Sequence, residues 1–240
     1  SSRQPMRDAP AGSSVSAFVP SDAVMELPLF PLNTVLFPGA TLPLHIFEDR
    51  YKQMISECIE EQRPFGVLLI RKGREVGDMA EPFEIGTTAH IARVDELEEG
   101  KLNLLCLGGK RFRTVKLVSN EPYLTGEVEF LETSEDDDPT AKELSDDAGS
   151  LFAEYVRLYL AMSNQWARSL EMPGEPDTLA DFIGSRLGVD PHMKQRLLEE
   201  LSARTRLALE VQILGEAIRE MTPRVDEARI MRWHGFAVMN

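Results

Sequence analysis

The chain has 240 residues, with 26 Lys and Arg against 40 Asp and Glu, a formal net charge of −14. That excess of carboxylates argues against nucleic acid as a partner, because non-specific nucleic-acid affinity comes mainly from Lys and Arg neutralising phosphates. No stretch approaches the roughly 20 consecutive apolar residues of a membrane-spanning helix, and Ser1 to Pro20 lacks the apolar centre of a secretory signal, so the expectation is a cytoplasmic protein without membrane contact.

Residues 1–23 are rich in Ser, Pro, Ala and Gly and have almost no apolar periodicity, so they read as a flexible N-terminal tail. From Glu26 to Tyr51 short apolar runs are broken by Pro28, Pro31, Pro38-Gly39 and Pro43. Proline has no N–H for a sheet ladder and fixes its own φ, so these positions punctuate short strands of a closed or strongly bent β unit. Tyr51, Met54, Ile55, Cys58 and Ile59 then recur at helical spacing, which predicts one amphipathic helix over about 48–62. Past Pro64, Phe65 to Ile70 reads as a strand buried on both faces. A hairpin follows, with Gly86 to Val94 turning at Glu98-Glu99-Gly100 into Lys101 to Leu107. Gly108-Gly109 is expected to turn the chain again into Lys110 to Val118, and Tyr123 to Leu131 alternates as a last, half-buried strand. The β-rich unit therefore occupies 24–132 and holds six or seven strands.

Residues 133–147 carry Glu135, Asp136, Asp137, Asp138, Asp146 and Asp147 and form an acidic linker. Beyond it the pattern becomes helical over 148–222. Leu151, Phe152, Tyr155, Val156, Leu158, Tyr159 and Met162 mark one helix; a second begins near Asp177, whose side chain would cap its first N–H groups, and Gly188 would close it. Asp190-Pro191 opens a long helix whose Leu207, Val211, Leu214, Ile218 and Met221 form a packing seam. Residues 223–240 read as a C-terminal tail.

The run LPLFPLNTVLFPG followed by PLHIFEDRY resembles the opening of the LON domain, the substrate-recognition domain at the amino terminus of Lon proteases, which also occurs as a free-standing protein. Arg63-Pro64-Phe65-Gly66, Glu84-Ile85-Gly86-Thr87 and Gly109-Lys110-Arg111-Phe112-Arg113 extend the likeness, and Lys194 to Glu199 resembles the helical region that follows. The resemblance implies an α+β fold: a PUA-like six-stranded pseudo-barrel with one inserted helix, followed by a C-terminal α-helical bundle. It also implies a non-catalytic module whose partners are unfolded or extended polypeptide and a protease. No individual peptide-binding residue follows from it.

The residues contain no G-x-x-x-x-G-K-[ST] phosphate loop, so no ATPase module is expected, and no cofactor or metal is implied. His45, His90, His192 and His234 lack ligand spacing. Cys58 and Cys106, inside apolar segments, read as buried thiols; either could meet His90 as a nucleophilic pair only through a tertiary contact. Lys110, Arg111, Arg113 and Lys116 are the one basic cluster, read as a solvent face or an acidic-peptide contact, with RNA binding the weaker alternative. Met25, Met54, Met79 and Met162 could form an adaptable surface or fill gaps in the core. Two further functions compete with recognition: a hydrolase with its site in the cleft between the subdomains, and self-association through the Leu207 to Met221 seam.

Overall fold

The computed structural model describes residues 24–73, 80–133, 139–162, 165 and 170–237. The expectations for Ser1 to Ala23, Met79 and Glu135 to Asp138 fall outside them. The β unit runs β1 (Met25–Leu32), β2 (Thr41–Ile46), α1 (Asp49–Glu60), β3 (Phe65–Lys72), β4 (Glu81–Pro82), β5 (Ile85–Glu96), β6 (Leu102–Ser119) and β7 (Thr125–Phe130). The helical unit follows with α2 (Pro139–Met162), α3 (Pro176–Arg186), α4 (Pro191–Glu199) and α5 (Ala203–Ala237).

Strands β1, β7, β6, β5 and β3 form a ring, closed where β1 pairs in parallel with β3 from Leu29↔Gly66 to Leu32↔Leu69. The short β4 pairs with β3, and among the described residues β2 pairs only with β6. The predicted pseudo-barrel with one inserted helix is therefore present. Helix α1 turns Tyr51, Met54, Ile55 and Cys58 onto a core shared with Phe30, Ile46, Phe65, Leu104 and Cys106. A second cluster of Leu27, Leu29, Leu68, Phe112 and Val128 fills the space among β1, β3, β6 and β7. Residues Phe65 to Ile70 are all buried, as the unbroken apolar run predicts.

Several local readings are corrected. Gly108 and Gly109 do not reverse the chain: β6 continues through them as one 18-residue strand, with a shift of register against β5 opposite Thr87 and Ala89. A Cβ at Gly108 would collide with the Phe37 carbonyl oxygen, and one at Gly109 would meet Thr88 Oγ1 at 2.5 Å, so glycine serves close backbone approach rather than a turn between two strands. The helix from Pro191 is two helices, broken between Glu199 and Ala203, with Ser202 Oγ accepting from Thr205 N–H at 3.2 Å at the start of α5. Asp190 caps α4 as expected, its Oδ1 accepting from the N–H groups of His192 at 3.0 Å and Met193 at 3.2 Å. Asp177 does not cap α3; its carboxylate pairs with Arg206 instead. Gly188 closes α3 without a left-handed conformation, its N–H donating to the Tyr155 hydroxyl at 3.1 Å. Helix α2 begins at Pro139, inside the stretch read as a linker, and the α5 backbone continues through Pro223 to Ala237, across the stretch read as a tail.

The seam on α5 packs in part inside the chain. Leu207 and Leu214 are buried, and Val211, Ile218 and Met221 pack against the core that holds Phe152 and Tyr155 of α2. Leu207 and Leu214 are thus taken up within the chain, while Val211, Ile218 and Met221 remain partly exposed.

Candidate polypeptide-binding surface

The loop between β1 and β2 joins the two halves of the molecule. Leu36 packs into the barrel core and the adjacent Phe37 into the helical core, both almost wholly buried. The Phe37 ring lies against Gly184 of α3, where an added Cβ would stand 2.9 Å from it. Next to this wedge, Arg111 of β6 is only 3% exposed. Its Nη1 donates to Asp181 Oδ2 at 2.9 Å, its Nη2 to Asp181 Oδ1, and its Nε to the Leu198 carbonyl at 3.0 Å. Gln195 of α4 adds a bond from Nε2 to the Ile85 carbonyl of β5 at 2.9 Å. Barrel and bundle are thus fastened by an apolar wedge, a buried two-point ion pair and two bonds to backbone carbonyls. The junction proposed as a hydrolase cleft is occupied by this packing.

Arg111 therefore leaves the basic cluster read from sequence. Among its neighbours, Arg113 pairs with Glu129 at 2.9 Å on the surface and the Lys110 ammonium lies 5.8 Å from the centre of the Phe130 ring. Cys58 and His90 are brought to one place, a cleft of about 350 Å³ lined also by Ile59, Gln62, Arg63 and Val94. Cys58 is buried, and burial pushes its thiol up to about 11; Cys106 is held at about 11 by the same cause. A thiol that stays protonated at neutral pH is a poor nucleophile, so the cleft does not assemble the thiolate such a pair needs. Cys58 and Cys106 are both free and buried, as read from sequence. Among the described residues, no group of three or more His, Cys, Asp and Glu side chains could hold a metal ion, and no helix is long and apolar enough to cross a membrane.

What the barrel leaves open is a sheet edge and the apolar face beside it. Strand β2 pairs with β6 from Thr41↔Leu107 to Ile46↔Leu102 and, among the described residues, with no other strand. Gly108 N–H donates to the Ala40 carbonyl at 2.8 Å, so by alternation Leu42, Leu44 and Ile46 direct their backbone groups to β6. Thr41, Pro43 and His45 direct theirs outward. Pro43 removes one N–H from that edge, which blunts it without closing it. On the adjoining outer face stand Leu105 (38% exposed) and Leu107 (44% exposed), with Phe47 (46% exposed) at the end of β2. The Phe47 ring lies 6.0 Å from that of His45, which is anchored through Nδ1 to Asn103 Oδ1 at 2.8 Å. Cross-strand pairing sets His90 opposite Leu107 and Arg93 opposite Leu105. Beginning next to the Phe37 wedge, the edge runs from the barrel–bundle junction outward.

A ring of short strands capped by one helix, pinned to a helical bundle and carrying an open strand edge, defines the class as an α+β pseudo-barrel joined to a helical unit. The description "ATP-dependent protease La (LON) substrate-binding domain" matches residues 26–216, and the chain belongs to this family. It is 29% identical over 212 residues to the Lon protease of Anaeromyxobacter dehalogenans, covering 86% of this chain and 25% of that protein. It is 30% identical over 246 residues to the Lon protease of Paraburkholderia phytofirmans, covering 95% of this chain and 30% of that protein. The chain thus spans between a quarter and a third of these relatives. The crystal structure of a Lon N-terminal domain protein from Xanthomonas campestris superposes with a TM-score of 0.59 at 29% identity, covering 77% of this chain and 96% of that one. The N-terminal domain of a Mycobacterium avium complex Lon protease shares the fold, with a TM-score of 0.60 at 19% identity, covering 80% of this chain and 98% of that one.

Proposed function

We propose that this chain is a non-catalytic recognition module that binds unfolded or extended polypeptide and presents it to a protease. Family membership supports the substrate class, and the observation that carries the mechanism is the unpaired outer edge of β2 beside exposed Leu105 and Leu107. An extended segment adds to that edge through main-chain bonds to Thr41 and His45, independent of its sequence, and lays apolar side chains on the Leu105–Leu107 face. Pro43, lacking an N–H, makes the added strand short and the affinity modest, which suits a surface that must release its clients. The protein works in the cytoplasm, and its −14 charge disfavours nucleic acid as a competing ligand.

Hydrogen exchange with and without an unfolded client tests this reading. Added protection at the Thr41 and His45 amides, with little change across β7, is the expected footprint. Protection confined to the helical unit would overturn it.

A further inference from the structure

Glu210 stands on α5 between Leu207 and Leu214, on the face that packs into the bundle. It is 0% exposed, and neither carboxyl oxygen has a hydrogen-bond partner. A Cβ at Gly184 would lie 3.2 Å from Glu210 Oε1 and 2.9 Å from the Phe37 ring, which puts the carboxyl directly behind the wedge that seats the barrel. The charged groups facing it are Arg206 one turn earlier on α5, Asp181 of α3 and Arg111 of β6. Those groups are already matched: Arg111 pairs with Asp181, and Arg206, itself 0% exposed, pairs with Asp177 of α3 and donates through Nη1 to the Glu200 carbonyl at 2.9 Å. Two guanidinium groups thus balance two carboxylates. A third carboxylate would place net negative charge where no water solvates it, so the buried acid stays neutral instead.

We propose that Glu210 is a proton-held latch on the barrel–bundle joint: as a neutral acid it leaves Arg206 with Asp177 and Phe37 seated, and on losing its proton it competes for Arg206 and loosens the joint. The competition is local, because Arg206 and Glu210 are four residues apart on one helix face and Arg206 Nε is without a hydrogen-bond partner. Burial raises the Glu210 carboxyl well above its ordinary 4.5, against the pull of Arg206. A carboxyl that holds its proton more tightly when folded gives the folded state the extra proton. Stability from this group is therefore complete below about 4.5 and falls as pH rises through the raised value.

The test compares thermal unfolding of the full chain and of Glu210→Gln, an uncharged isostere, between about pH 5 and about pH 8. Relative to the variant, the wild type is expected to lose about 3–5 °C in Tm per pH unit within that window. Protection against hydrogen exchange at Ile85, Arg111 and α3, taken relative to the intrinsic exchange rate at each pH, is expected to fall at the alkaline end in the wild type only. Parallel Tm curves for the two proteins overturn the proposal, as does a gap that widens toward acid. Should the glutamine variant fail to fold, infrared spectra of the wild type decide: a protonated-carboxyl band at neutral pH supports the latch, and its absence overturns it.

Discussion

Replacing Arg111 with methionine tests the idea that the joint rests on a buried ion pair. The substitution keeps the apolar stem and removes the guanidinium, so Asp181 loses a two-point partner while remaining almost fully buried, and Leu198 loses a donor to its carbonyl. Breaking a buried pair from one side costs about 3–5 kcal/mol. The lower end applies here, because Arg206 Nε still lies 3.9 Å from Asp181 Oδ1 and takes up part of the charge. For a chain of this size, about 3 kcal/mol lowers Tm by about 6–12 °C. The double variant Arg111→Met, Asp181→Leu removes both charges and is expected to recover most of that loss. Desolvation already raises Asp181 above its ordinary 3.8, and losing Arg111 raises it further. The folded state then holds a proton that the unfolded chain releases, so the deficit of Arg111→Met shrinks as pH falls toward about 4 and grows as pH rises. Thermal unfolding followed by circular dichroism measures both effects. A loss under about 1 kcal/mol, or a double variant less stable than the single one, would refute the reasoning.

Three further outcomes are expected. Gly108→Ala forces a Cβ onto the Phe37 carbonyl oxygen, a backbone atom that cannot step aside; it should lower Tm markedly, while Gly174→Ala, with open space around it, should change Tm little. Asp190→Ala removes both bonds to the start of α4 and should cost about 1 kcal/mol by chemical denaturation, with Asp190→Asn recovering most of it. Cys58 and Cys106, buried with thiols at about 11, should react with a thiol reagent at neutral pH only after unfolding; fast labelling of the native protein would contradict their burial.

Much of the fold was legible because its signals are local. Apolar periodicity marked α1, the unbroken run Phe65 to Ile70 marked β3, and the Asp190-Pro191 pair marked the start of α4. Gly108-Gly109 misled because glycine serves turns and close approaches equally, and only the tertiary position of Phe37 decides between them. Arg111 misled in the same way: a cation in a basic stretch reads as surface until a partner 70 residues away is brought to it. Faint signals were present. Asp181 interrupts the apolar stretch Leu179 to Ile183, and Glu210 interrupts the α5 seam between Leu207 and Leu214, both positions where an unpaired charge would be costly. The open edge of β2 left one trace in sequence, Pro43, which a strand paired on both sides would not hold, but which edge stays open depends on what does not pair with it.

The central claim is that the Leu105–Leu107 face beside the β2 edge holds polypeptide. Leu105→Glu and Leu107→Glu alter exposed side chains and should leave the fold intact. The direct measurement is a fluorescence-anisotropy titration of a labelled, permanently unfolded polypeptide with the wild type and with the double variant, checked by circular dichroism for unchanged folding. Saturable binding by the wild type, weakened about tenfold or more in the variant by the loss of two leucines that the bound segment would cover, is the predicted result. Equal affinity for both proteins, or no saturable binding by the wild type, would contradict the account.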